Sequence, residues 1–321
     1  MSKIMTVLGE IDSAQLGQTL MHEHLVSSMV GIPENYPQLY VENMESIVEK
    51  DLAGMKADGF ASVVEATPFD LGRDPKALKR LAEKSGMNII ACTGFFLEPA
   101  HMLGTYTADQ FAGLFVDDLT KGMAGTNIKA GIIKTAMDTE GPTPGREIIH
   151  RAVARASLQT GARIMLHSYP QTEMGRHQVR LMREEGIDLS RVKIDHCLES
   201  TDMDYLRWLY DQGCWLGVDR IPIIIDSKHY AVSTETRIKT IKRMLDAGFS
   251  DRMLLSHDFM STSTLYDHMP PEEFRHIRSL NPQRFSFLTS VAFPQIEQMG
   301  GNVEKLWRIL SENPRRFFEG P

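Results

Sequence analysis

Short apolar runs recur along the chain, each bounded by Gly, Asp, Asn or Arg and each followed by a stretch whose apolar residues return three and four positions apart. Eight runs have the length of strands: Gln18 to His24, Ala61 to Thr67, Asn88 to Phe95, Ile128 to Thr135, Arg163 to Ser168, Val192 to Cys197, Cys214 to Arg220 and Arg252 to Asp258. Between them, Met44 to Asp58, Pro75 to Ser85, Thr107 to Gly122, Arg146 to Thr160, Thr172 to Glu185, Asp202 to Gln212 and Glu235 to Ala247 predict amphipathic helices. Such alternation argues for an α/β fold of parallel strands joined by crossover helices. Eight repeats of the unit favour closure into a (β/α)8 TIM barrel over an open sheet.

The flanking segments refine this picture. Thr6-Val7-Leu8-Gly9 and the turn at Asp12-Ser13 predict an N-terminal β-hairpin that caps the barrel bottom. After strand 8, Phe259 to Arg284 carries Ser261-Thr262-Ser263-Thr264 and Pro270-Pro271, and reads as a long loop over the top face. A final helix is expected over Val303 to Ser311. Nothing rich in Pro, Gly or Ser interrupts the pattern, so residues 1–321 are expected to form a single barrel domain.

Composition narrows the function classes. The net charge of −7, with both signs mixed along the chain, offers no basic stripe for a phosphate backbone and argues against nucleic acid as a partner. No apolar run reaches the ~20 residues needed to cross a bilayer, and Met1-Ser2-Lys3-Ile4-Met5 does not begin a secretory leader; a cytoplasmic protein with no membrane partner is expected. Cys92, Cys197 and Cys214 lie in apolar stretches without a Cys-x-x-Cys pair, as reduced buried thiols do. No glycine-rich nucleotide fingerprint follows any strand.

The polar residues that end the apolar runs carry the candidate chemistry. His22 and His24 stand two apart on one strand, so both imidazoles face the same way; two solvated loop histidines are the alternative. His167 and His196 end two successive strands, where a lone histidine is more often a hydrogen-bonded core residue but a pair at matching positions favours metal ligation. Asp258 ends the last strand, next to the first, and a buried carboxylate there needs a metal, a cation or several donors. Lys134 closes an apolar strand, where an ammonium is costly. It could pair with Glu65 or Glu199, or add CO2 to become an anionic carbamate able to bridge two cations.

Taken in this order, the motifs resemble the phosphotriesterase family of the amidohydrolase superfamily. The likeness runs from Thr6-Val7-Leu8-Gly9 and Leu20-Met21-His22-Glu23-His24, through Gly131-Ile132-Ile133-Lys134 and Ser256-His257-Asp258, to Glu312-Asn313-Pro314. It implies a (β/α)8 barrel with a binuclear metal centre. One divalent ion would be held at His22, His24 and Asp258, the other at His167 and His196, with Lys134 matching a bridging N6-carboxylysine. Zinc, cobalt, manganese and iron all suit such donors. The ions would share a water, lower its pKa toward neutrality and make it the nucleophile, with Asp258 passing on its proton. A homodimer is also implied.

Specificity is read from further positions. Arg220 closes the seventh strand and resembles an arginine of the family's lactonases, where phosphotriesterases proper carry a relay histidine; an ion pair with Asp219 or Glu199 is the plainer reading. Glu199 matches an acidic relay residue. Phe96 stands about where many lactonases have a tyrosine, which argues against acyl-homoserine lactones. Lys228, His229, Tyr230 and Arg237 follow the seventh strand in a loop suited to a substrate phosphate or carboxylate, with a plain solvated loop as the equal alternative. The expectation is a metal-dependent hydrolase of small-molecule lactones, including sugar or phosphorylated sugar lactones, or of related carboxylic esters. Phosphotriesterase (aryldialkylphosphatase) and amidase activity are the alternatives, with a metal-stabilised binding barrel as the reading outside enzymology.

Overall fold

The computed structural model describes residues 2–31, 35–36, 44–96, 102, 104–223, 232–263, 276 and 279–320. Strands β1 (Lys3–Thr6) and β2 (Gly9–Asp12) form an antiparallel hairpin. Nine parallel segments follow: β3 (Gln18–Ser27), β4 (Phe60–Glu65), β5 (Asn88–Phe95), β6 (Ile132–Ala136), β7 (Arg163–His167), β8 (Val192–Ile194), β9 (Trp215–Val218), β10 (Met253–Leu255) and β11 (Met260–Ser263). From β3 to β10 each pairs with its neighbour in the chain, and β11 pairs with β3. The eighth barrel strand is thus split, its first half on β9 and its second on β3. Across the break Asp258 N donates to His22 O at 3.0 Å and His24 N to Phe259 O at 3.0 Å, closing the TIM barrel.

The crossover helices are α1 (Met44–Ala57), α2 (Pro75–Ser85), α3 (Ala108–Thr120), α4 (Pro144–Thr160), α5 (Met174–Glu184), α6 (Met203–Asp211) and α7 (Thr234–Asp246). Several start where a side-chain oxygen caps the first amides: Asp74, Thr107, Thr143, Asp202 and Ser233 each accept from residues two or three further on. The Thr143 cap with Pro144 behind it starts α4 two residues ahead of the expected Arg146, because proline is preorganised for the first helical turn.

Apolar side chains form two layers. Met21, Val64, Ile90, Cys92, Ile132, Met165 and Leu254 fill the barrel interior, sealed by Ile4, Leu16, Trp215 and Phe317. The alternate strand residues, Val63, Ile89, Ile133, Ile164, Ile194 and Leu216 among them, pack outward against the helices. The hairpin lies against β5, Val7 N donating to Ile89 O at 2.9 Å. All three cysteines are buried and free, and burial pushes the Cys92 thiol up to about 12.

Some expectations need correction. The fourth barrel strand starts at Ile132, not Ile128: the Ile128 carbonyl accepts from Met123 N and Ala130 N donates to Asp118 O, so this stretch is spent on a turn. The expected loop from Phe259 opens with β11, fastened to α1 where Asp51 accepts from Ser261 Oγ and, at 3.1 Å, from Arg284 Nε. Pro270, Pro271 and the rest of 264–275 lie outside the described residues. A π-helical turn over Leu288–Ala292 leads into α8 (Phe293–Gln298), neither of which was expected. The last helix, α9 (Val303–Glu319), runs past Pro314 instead of ending at Ser311. Tertiary contacts outweigh the lost proline amide: Asn313 Nδ2 donates to Ser250 O and Met253 O at 2.7 Å, and Phe317 packs edge-on against Trp215. Among the described residues no helix is long and apolar enough to cross a membrane.

Candidate metal centre

Six side chains from five barrel strands meet at the carboxyl ends of the strands. His22 and His24 leave β3, where the register with β4 shifts between Leu20 and Glu23. This irregularity lets Met21 fill the interior while its neighbour His22 also faces inward. Lys134 leaves β6, His167 ends β7, His196 follows β8 and Asp258 follows β10. His22 Nε2 and His24 Nε2 each lie 3.3 Å from Asp258 Oδ1, and Lys134 Nζ is 3.0 Å from His22 Nε2. His167 Nδ1 and His196 Nε2 face each other at 2.8 Å. His22, His196 and Asp258 bring ligand atoms within 4.8 Å of one another.

The outer nitrogen of every one of these imidazoles has its own oxygen. His22 Nδ1 lies 3.3 Å from Asp195 Oδ2, and His24 Nδ1 lies 2.8 Å from Thr67 Oγ1. His167 Nε2 lies 3.2 Å from Asp138 Oδ2, and His196 Nδ1 lies 2.6 Å from Asp219 Oδ1. At His24 and His196, where the outer nitrogen is hydrogen-bonded, a ring proton held there leaves the inner lone pair pointing at the Asp258 carboxylate and at the His167 ring respectively. Such a set repels itself unless cations lie among the donors, and outer-nitrogen oxygens are the usual support of metal-bound histidine. Burial, reinforced by Lys134, pushes His22 down to about 4; burial likewise holds His167 below and His196 well below the ordinary value, so the rings are neutral, as ligation requires. The donor set fits a pair of divalent ions of the imidazole and carboxylate type.

Lys134 is buried, and among the described residues no carboxylate comes within ion-pair distance of it. Burial lowers its pKa. Neither pairing considered for it is present: Glu65 Oε1 accepts from Val26 N at 3.4 Å, and Glu199 Oε1 takes Arg237 Nη2 at 3.0 Å and Arg220 Nη1 at 3.4 Å. For Asp258, burial alone would raise the carboxyl pKa, but the Arg220 guanidinium donating to Oδ2 at 3.0 Å opposes it, and the carboxyl lies well below its ordinary value.

Arg220 donates from Nε to Asp258 Oδ2 at 3.0 Å, and so joins the centre to Glu199. Its other expected partner, Asp219, is engaged by His196. Arg237 requires correction as a loop residue: it lies in α7, inside the helix expected from Glu235, and is fully buried, with Nε donating to Val232 O at 2.9 Å and Nη2 at 3.0 Å from Glu199 Oε1. It supports Glu199 and does not line an open loop. Phe96 rests edge-on against the His167 ring, centroids 5.0 Å apart. Lys228, His229 and Tyr230 lie outside the described residues.

Asp138, Asp195 and Lys193 were not anticipated, nor was Asp219 as the partner of His196. Lys193 Nζ, fully buried, lies 2.6 Å from Asp195 Oδ1 and donates to Met21 O at 2.9 Å. The available signal was charge inside apolar strands, Lys193 and Asp195 before His196 and Asp219 before Arg220. By alternation these residues take the inward positions and would turn His196 and Arg220 away. Left-handed backbone at His196 (φ 64°) and Arg220 (φ 58°) returns both to the site, and Asp258 (φ 54°) shares that conformation. Strained backbone of this kind concentrates at functional sites.

Comparison with known proteins agrees with this geometry. The model of the phosphotriesterase family matches residues 2–318. The chain is 36% identical to a phosphotriesterase homology protein of Mycobacterium tuberculosis, over 99% of this chain and 98% of that one. It is 30% identical to an aryldialkylphosphatase of Saccharolobus solfataricus over 96% of each, and 27% identical to an N-acetyltaurine hydrolase of Xenopus tropicalis over 98% and 97%.

Proposed function

The chain belongs to the phosphotriesterase family, and on that premise we propose that it is a binuclear metal-dependent hydrolase of lactones or related carboxylic esters, sugar and phosphorylated sugar lactones included. One observation carries the reading: four buried imidazoles, each with an oxygen 2.6–3.3 Å from its outer nitrogen, turn their inner nitrogens toward Asp258, Lys134 and one another. His22, His24 and Asp258 would hold one ion, His167 and His196 the other, and Lys134 as a carbamate would join the two sets. When bound, the ions supply Lewis acidity that activates water and polarises the oxygen of the scissile group.

The chain's own groups do the rest. Asp258 is ionised and its side chain keeps a 12% exposure, so it takes the proton from the attacking water and returns it to the leaving group. Arg220 steadies that carboxylate through Nε. Glu199, held by Arg237 and by Gln171 Nε2 at 3.2 Å, keeps the Arg220 guanidinium at the rim, where its charge suits a lactone oxygen or an anionic substituent. Phe96 shields His167 from water with an apolar edge.

Hydrolysis of an acyl amide is the second reading. It is favoured by the relative named N-acetyltaurine hydrolase together with the Arg220 guanidinium, whose charge at the rim suits an anionic acyl amide. Values of kcat/KM for sugar lactones, acyl-homoserine lactones, paraoxon and N-acetyltaurine separate the readings, with the highest value expected on a lactone. A preference for paraoxon or the amide over every lactone overturns that order. Metal content and activity before and after chelation test the dependence on metal: activity should fall with the ions and return with them. A fully metallated protein that hydrolyses nothing would favour the binding barrel.

A further inference from the structure

We propose that Glu23, the residue between His22 and His24, is a positioning residue that aims Asp258 into the centre. The inference rests on the reading of Asp258 as a metal ligand. Glu23 is fully buried and points away from the centre into the seam where the barrel closes. Its Oε1 accepts from Ser256 Oγ, His257 N and His257 Nδ1, each at 2.8 Å, and its Oε2 accepts from Phe259 N at 2.9 Å. One carboxylate therefore grips the chain immediately before and immediately after Asp258.

The need for that grip follows from the broken eighth strand. Between β10 and β11 the backbone leaves the ladder, and the amides of His257 and Phe259 sit buried with the Glu23 oxygens as their partners. Buried amides left unpaired are expensive, so the break persists because one side chain supplies what the ladder does not. At its centre Asp258 adopts φ 54°, a conformation an aspartate keeps only when its surroundings impose it. Two further bonds transmit the setting to β3: His22 N donates to Ser256 Oγ at 2.7 Å, and Asp258 N donates to His22 O at 3.0 Å. His257 Nε2 accepts from Leu288 N at 3.3 Å, so its ring proton resides on Nδ1, where it donates to Glu23.

The same residue thus sits on the strand of two candidate ligands and sets the direction of a third from the opposite side of the sheet. Glu23→Gln preserves shape but turns an amide NH2 toward one of these donors. The expected result is a folded protein, by circular dichroism and thermal melting, whose affinity for zinc falls about 10- to 100-fold, measured by competition with a chromophoric chelator. In an Asp258→Asn background the same substitution should weaken zinc binding no further, since its effect passes through Asp258; a merely structural loss would add in both backgrounds. Ser256→Ala, which removes one of the four donors, should give a smaller loss in the same direction. Unchanged zinc affinity in folded Glu23→Gln, an additive loss with Asp258→Asn, or failure of both Glu23→Gln and Ser256→Ala to fold would overturn the proposal. Unsubstituted protein without zinc would instead sink the metal-dependent reading, and this inference with it.

Discussion

His196 presents Nδ1 to Asp219 Oδ1 at 2.6 Å, both side chains fully buried. The contact settles which ring nitrogen carries the proton and so which one faces His167. Asp219→Asn keeps the size but weakens the acceptor and allows the amide to turn its NH2 to the ring. Zinc affinity is expected to fall about 10- to 100-fold with the fold retained. Isothermal titration of the metal-free protein with zinc measures it, and an unchanged affinity would show that the aspartate does not orient His196.

Lys193 and Asp195 form an ion pair with no exposure to water, their nearest atoms 2.6 Å apart. Against the burial that would raise it, Lys193 and then His22 hold the Asp195 carboxyl below its ordinary value. Lys193→Met leaves a buried carboxylate without its cation and should cost about 3–5 kcal/mol. Adding Asp195→Asn removes the unpaired charge and should restore much of that loss. Urea unfolding of the two variants checks it, and a double variant no more stable than the single one would contradict this account.

His150 reports on acid sensitivity outside the candidate ligand set. Its Nδ1 lies 2.7 Å from Arg146 O and its Nε2 lies 3.2 Å from Gln178 Nε2, so the neutral ring is satisfied and a second ring proton would meet a donor. Burial pushes its pKa down to about 4 from 6.5. The unfolded chain therefore takes up the proton first as the pH falls. Stability present above pH 6.5 should be lost between about 6.5 and 4, then level off for this group. One such proton gives a slope of about 1.4 kcal/mol per pH unit. In the metal-free protein His22, also near 4, and the likewise lowered His167 and His196 add to it. Urea midpoints across this range should show the slope, reduced by one proton in His150→Gln.

Lys134 lies buried beside His22 without a carboxylate partner among the described residues. Carbamate formation joins its amine nitrogen to the carbon of CO2 and releases one proton. Protein reconstituted with zinc and 13C-bicarbonate should show one carbamate signal by NMR, absent from Lys134→Met, whose zinc stoichiometry should fall. A full complement of zinc in Lys134→Met would remove the lysine from the proposed ligand set.

Much of this was legible along the chain. Periodicity of two and of 3.6 reports directly on which face of a strand or helix is buried, so the alternating barrel and its hairpin could be read without coordinates. The ends of its parallel strands converge by topology, which brings His22, Lys134, His167 and Asp258 together from positions far apart in the chain. What periodicity cannot carry is a departure from it. The left-handed turns at His196 and Arg220, the register shift before Glu23 and the break after Leu255 each reverse a parity that the sequence suggests. Nor does a local pattern reveal a partner: Asp219 meets His196 across 23 residues, and Ser256 meets Glu23 across 233. Sequence determined which residues could reach the centre, because strand geometry is local. Tertiary structure alone decided which oxygen holds each histidine and what aims Asp258, because those contacts form only when the last strand closes on the first.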